Sequence, residues 1–173
     1  TFPPWCGWQR EYETIEFLLF KRIPGHGAVF EKVSESNLQP GDILLFRMNI
    51  SPGILSSSFI HVAVYCGGRE VIHFQNTRKR KNTGRISKES FKAMEKERGK
   101  CQIYRKIGGI DPKDFHRKVR EAMNMEARYH LGNNNCIHFA LYLLGLVDFY
   151  AELVSTELGV TAAVGRLLHP QPA

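Results

Sequence analysis

The chain has 173 residues, 43% of them hydrophobic and 24% charged, a composition that suits one compact domain with a real core and excludes wholesale disorder. Its net charge of +7 is unevenly placed, since residues 78–106 hold twelve Lys/Arg against three acids, a local excess of +9 that leaves the rest of the chain at −2. The four cysteines, Cys6, Cys66, Cys101 and Cys136, are dispersed and form no CxxC pair, which argues against a disulfide-stapled secreted scaffold and for a reducing, cytoplasmic compartment.

In chain order, residues 1–36 read as an extension without an assigned role. In TFPPWCGW, Trp5 and Trp8 read as cover for the core, with contact to a membrane interface as the alternative, YETIEFLLFKR suggests a short helix, and PGHG is a turn. No n-region and h-region within them mark a signal peptide, and the sequon at Asn49 is followed at once by Pro52, which argues against its use. A main domain over 37–149 opens with LQPGDILLF, in which Pro40-Gly41 turns into a buried strand from Ile43 to Phe46. FIHVAVYCGGREVIHFQ then reads as two strands joined at CGG. A three-residue loop of Cys66, Gly67 and Gly68 sets 65 opposite 69, 63 opposite 71 and 61 opposite 73, so that His61 and His73 face each other. Ile60, Val62, Val64, Ile72 and Phe74 form the opposite, apolar face. A two-residue loop changes the register by one and sends the two histidines to different faces.

Arg78, Lys79, Arg80 and Lys81 open the basic segment. Concentrated positive charge favours an anionic membrane surface or nucleic acid, and a solvated loop and helix face is the plainer alternative. CQIYRKI predicts a further strand. Asp111-Pro112 predicts a helix start, with the acid as N-cap and proline in the first turn, and a helix running to about Arg128. His116 and His130 fall in or near that charged helix and read as surface residues. Residues 150–173 are a tail, and the longest apolar run, from Phe139, is cut by Asp148 well short of the roughly 18 residues a membrane span needs, so no transmembrane helix is expected.

The remaining element, NNNCIHFALYLLG at 133–145, admits two readings. Asn134 or Asn135 is a natural N-cap that leaves Cys136 in the first turn of a helix apolar on most faces. Cys136 is then either one more small buried hydrophobe or a nucleophile, its thiolate stabilised by the helix dipole and an imidazole. A cysteine nucleophile needs a base and a group to orient that base, and two histidines on one hairpin face supply both. Metals and cofactors are not called for, because Cys136 and His138 are too close in sequence and lack a partner pair for zinc, and there is no phosphate-binding glycine loop.

His61 in HVAVYCGG, His73 in VIHF twelve residues later, and Cys136 in NCIHF resemble the lecithin:retinol acyltransferase superfamily, whose catalytic order is His, His, Cys. LQPGDILLF resembles its leading strand, and the short first strand with VTAAVG in the tail looks most like the phospholipase A and acyltransferase subfamily. The resemblance covers roughly residues 37–147. It implies an α+β fold, a circularly permuted relative of NlpC and papain-like thiol hydrolases, with an antiparallel sheet packed on the central cysteine helix. It also implies Cys136 as nucleophile, His61 as general base, His73 as the residue orienting and polarising His61, and a glycerophospholipid substrate. The chain departs from the pattern at Ile137, where relatives commonly carry Glu in NCEHF, and in the tail at 150–173, which reads as a missing or truncated form of the hydrophobic anchor that many relatives carry.

Two functions follow. One is a thiol phospholipase and acyltransferase, peripherally associated with a membrane. The other is a non-catalytic binding module that docks through residues 78–106, with an anionic membrane preferred over nucleic acid as the partner.

Overall fold

A computed structural model of the protein describes residues 28–47, 60–76, 83–123, 126–128 and 136–146. Their elements are β1 (Phe30–Val33), a 3-10 turn (Glu35–Asn37), β2 (Ile43–Arg47), β3 (Ile60–Gly67), β4 (Glu70–Asn76), β5 (Thr83–Ser90), α1 (Phe91–Arg98), β6 (Cys101–Lys106), α2 (Pro112–Ala122), β7 (Glu126–Arg128) and α3 (Cys136–Leu143). The strands make one sheet in the order β1-β6-β2-β3-β4-β5-β7, with every neighbouring pair antiparallel. The class is α+β, as the sequence leads one to expect.

Strand alternation divides the core into two layers. Ile43, Leu45, Val62, Val64, Ile72 and Phe74 turn to one face, where α2 and α3 cover them. Leu44, Phe46, Ala63, Tyr65 and Val71 turn to the other, under Phe91 and Met94 of α1. With both faces covered, β2 and β3 are apolar at nearly every position, which is why ILLF reads as a continuous run and not as an alternation.

The hairpin differs from the expected three-residue loop. Gly67 pairs with Glu70, leaving Gly68 and Arg69 as a two-residue turn, while Tyr65 pairs with Val71 and Val64 with Ile72 across a bulge at Cys66. Both turn residues have positive φ, 58° at Gly68 and 64° at Arg69, the backbone of a type I′ turn that suits the twist of the strands. The shorter loop alone would have moved the two histidines to opposite faces. The bulge residue supplies a compensating step, and the total slip of two preserves the face while changing the partner.

Other boundaries moved too. α2 begins at Pro112 with Asp111 Oδ1 accepting from Lys113 N and Asp114 N, as its sequence requires, but ends at Ala122 and not near Arg128. Residues 126–128 instead pair with β5. β1 and β5 are strands where the sequence suggested an unassigned extension and a basic loop or helix face. α1 follows β5 directly, capped by Ser90 Oγ, which accepts from Ala93 N.

Two helices are oriented by contacts at both ends. Phe91 N donates to Arg69 O at the hairpin, and Arg98 Nη2 reaches Gln75 Oε1 at the far end of β4, so α1 spans the sheet from the turn to the start of β3. On the opposite face Phe139 packs edge-on against Phe74. Leu144, just past α3, lies over Gly41, whose N–H donates to Tyr65 O. α3 therefore runs in the direction of β3, and Cys136 lies at the end of the sheet where β3 begins.

Candidate active site

His61, second residue of β3, and His73, in the middle of β4, form the polar centre of the α1 face. Nε2 of His61 lies 2.7 Å from Nδ1 of His73, and the rings meet edge to face with centroids 4.9 Å apart. The residues are diagonal neighbours, a separation that long side chains bridge. Both are buried, at 5% and 2% exposure, so each ring must find its partners inside the protein.

Beyond the pair itself, the groups next to His73 come from β5. Ser87, directly opposite His73 in the ladder, places its Oγ 3.5 Å from His73 Nε2. Glu89, on the same face, brings Oε1 to 3.6 Å from the same nitrogen. Among the described residues, Glu89 Oε1 and Arg98 Nε are buried without a hydrogen-bond partner. Burial first and the Arg98 guanidinium second push His73 down to about 4. Burial, then Arg98, then His73 itself hold His61 well below its ordinary value. The pair is therefore neutral at neutral pH, the form in which an imidazole can accept a proton. Burial, then repulsion from Glu97, raises Glu89.

Cys136 is the first residue of α3 and is buried at 4% exposure. It belongs to the core layer on the α3 face, together with Phe139, Val62 and Phe74. The structure thus brings the two histidines into contact, and Cys136, whose apolar neighbours belong to the α3-side layer, opens its helix at the same end of the sheet. Ile137, half-buried, packs against the same layer, so its side chain extends the core where an acid would have needed polar partners. The other described cysteines are poor nucleophiles, since burial pushes Cys66 and Cys101 up to about 11.

Arg78, Lys79, Arg80 and Lys81 lie outside the described residues, as do Trp5, Trp8, Asn49, Asn134, Asn135 and His130. His116 is exposed on α2, as expected. Among the described residues no cluster of His, Cys, Asp and Glu could hold a metal ion, and no helix is long and apolar enough to cross a membrane. A cavity of about 310 Å³ lies between Pro40, Asp42, Arg105, Ile110 and Phe115. It sits by the hairpin end of β3, away from the histidines, and its cations are already engaged by Asp42 Oδ and Gly109 O.

Sequence reasoning missed Ser87, Glu89 and Arg98. The signal for the first two was the alternation of Ile86 and Lys88 with Ser87 and Glu89 opposite VIHF, hidden by the high charge of the segment.

Comparison with known families matches residues 36–145 to the model described as lecithin retinol acyltransferase. No curated protein matches the chain.

Proposed function

The chain belongs to the lecithin retinol acyltransferase family, and from that premise we propose that it is a cysteine-dependent phospholipase A and acyltransferase that works on glycerophospholipids at a membrane surface. The observation that carries this reading is the 2.7 Å contact between His61 Nε2 and His73 Nδ1. Occupying Nε2 leaves Nδ1 of His61 as the nitrogen for a thiol, and a buried, neutral, oriented imidazole is what a cysteine nucleophile requires. Cys136 opens α3 at the end of the sheet where His61 is second in its strand, so thiol and base meet around a strand end and not through the sheet.

In this mechanism His61 Nδ1 takes the proton of Cys136, and the thiolate attacks the ester carbonyl carbon. Backbone N–H groups at the start of α3 receive the oxyanion. Collapse breaks the bond to the glycerol oxygen, which leaves as a lysophospholipid carrying the proton from His61. An acyl-thioester remains on Cys136. Water, an amine or a lysolipid then attacks that thioester, gives its proton to His61, and restores the thiol. Incubation with phosphatidylcholine or phosphatidylethanolamine should give an acyl adduct on Cys136 by mass spectrometry, together with fatty-acid release. Absence of both, with Cys136→Ser behaving as the parent, overturns the reading.

One observation favours a second reading: residues 78–106 hold twelve Lys/Arg against three acids. A chain that keeps the fold without turnover would dock on anionic membrane through Arg78–Lys81. Binding to phosphatidylserine vesicles that weakens with salt, and is lost on charge reversal of those four residues, is its signature.

A further inference from the structure

We infer that Glu89 is the positioning residue that sets the proton tautomer of the His61–His73 pair, acting through His73. The inference rests on the reading of His61 as the base for Cys136. It goes beyond that reading by assigning a fourth residue, from a strand that the His, His, Cys motif does not include.

A neutral histidine pair joined by one hydrogen bond has two arrangements. In the first, His61 donates from Nε2 to Nδ1 of His73, so His73 carries its own proton on Nε2 and His61 Nδ1 keeps a lone pair. In the second, His73 donates from Nδ1, and His61 Nδ1 carries the proton. Only the first leaves His61 able to accept from a thiol. The groups next to His73 Nε2 decide between them. Ser87 Oγ, 3.5 Å away, fits either, because a hydroxyl both donates and accepts. Glu89 Oε1, 3.6 Å away, is an acceptor only when ionised, and it fits the first arrangement alone.

The state of Oε1 makes the choice more than a matter of proximity. The atom is buried and has no hydrogen-bond partner among the described residues, and an unmet buried acceptor costs about 1–3 kcal/mol. At 3.6 Å the contact to His73 is longer than a hydrogen bond, and a small side-chain rotation closes it, as catalytic contacts tighten when substrate binds. A proton on His73 Nε2 meets this need, whereas a bare lone pair there would face the carboxylate lone pair. Gln75 holds the neighbouring Arg98, whose charge repels a proton on either ring, so the pair stays neutral while Glu89 directs where the remaining protons sit.

The test reads tautomers directly. Long-range proton–nitrogen correlation spectra of the full chain with ¹⁵N-histidine, assigned with His61→Gln and His73→Gln, should place protons on Nε2 of both rings in the parent. Glu89→Gln should move both to Nδ1, with Ser87 then donating to His73 Nε2, and Glu89→Asp should keep the parental pattern. In parallel, iodoacetamide alkylation of Cys136 at neutral pH should slow about tenfold in Glu89→Gln and recover in Glu89→Asp. Parental protonation on Nδ1, or an unchanged pattern in Glu89→Gln, overturns the inference. These spectra need no turnover. A chain that never acylates Cys136 loses the proposed activity but not this result, and a chain that acylates with an unaltered tautomer in Glu89→Gln loses only this inference.

Discussion

Nε2 of His61 stands 2.7 Å from Nδ1 of His73 although the two residues are diagonal and not opposite in the hairpin. The roles this contact assigns are unequal. Removing the base, in His61→Gln, should lower the rate of Cys136 acylation by about 10²–10⁴, whereas His73→Gln, which removes only the orienting partner, should cost about 10–100-fold. Single-turnover acylation followed by mass spectrometry separates the two, and equal losses would mean that the rings act as one structural unit.

The same burial gives the protein an acid weakness. His73 is pushed from 6.5 to about 4, chiefly by burial, and His138 on α3 likewise to about 4. Between those values each of the two groups binds more protons in the unfolded chain than in the folded one, so the stability they contribute is full above pH 6.5, falls as pH drops through the window, and levels off below pH 4. For His73 alone the loss is on the order of 3 kcal/mol across the window. Glu89, raised by burial, opposes the trend at the acid end. Urea unfolding at pH 7.5 and pH 5 should show the fall, and His73→Gln should flatten it; an unchanged slope would place the acid sensitivity elsewhere.

What the sequence makes legible follows from which residues carry a local signal. LQPGDILLF, HVAVY and VIHF are readable because apolar strands flank glycine turns, and Asp111-Pro112 because a cap and a first-turn proline act within one turn. β5, TGRISKES, is not readable. Ile86 is its one large apolar residue, and its place is set by pairing with β4, a contact no local pattern encodes. The hairpin register fails for a related reason: Arg69 takes a positive φ that favours glycine, and a bulge at Cys66 offsets the shorter turn. The two histidines survive the error because a slip of two keeps the face. That α3 covers the Ile43, Leu45 and Val62 face, and so which core layer Cys136 joins, is a matter of packing that no local pattern encodes.

Asp42, at 1% exposure, is held by Arg105, whose Nε and Nη2 each lie 2.8 Å from its carboxylate oxygens, and by the N–H of Gln39. Arg105→Met would strand a buried carboxylate and should destabilise by about 3–5 kcal/mol. Replacing both partners, as Asp42→Asn with Arg105→Met, should recover much of that loss, since the amide oxygen can still accept from Gln39 and no charge is left unpaired. Chemical denaturation of the three variants gives the answer, and a double variant no better than the single would show that the arginine acts through packing and its bond to Asn37 O.

Gly41 joins the turn before β2 to the body of the protein. Its φ is +94°, and a Cβ there would collide with Cδ1 of Ile110. Gly41→Ala should therefore cost about 2–4 kcal/mol, part from backbone strain of ~1–2 kcal/mol and part from overpacking. The parts are separable, because Ile110→Val removes the colliding Cδ1 and leaves φ untouched. In that background Gly41→Ala should cost only the strain, a coupling of roughly 1 kcal/mol or more in a double-mutant cycle. Additive losses would mean that the Ile110 side chain swings clear and that the backbone alone demands glycine. Gly41 N donates to Tyr65 O, and Tyr65 lies on the histidine face of β3 four residues beyond His61. The variant thus also tests rigidity along the strand: a histidine pair with unaltered tautomer in Gly41→Ala would show that β3 absorbs the strain at its hairpin end before it reaches the site.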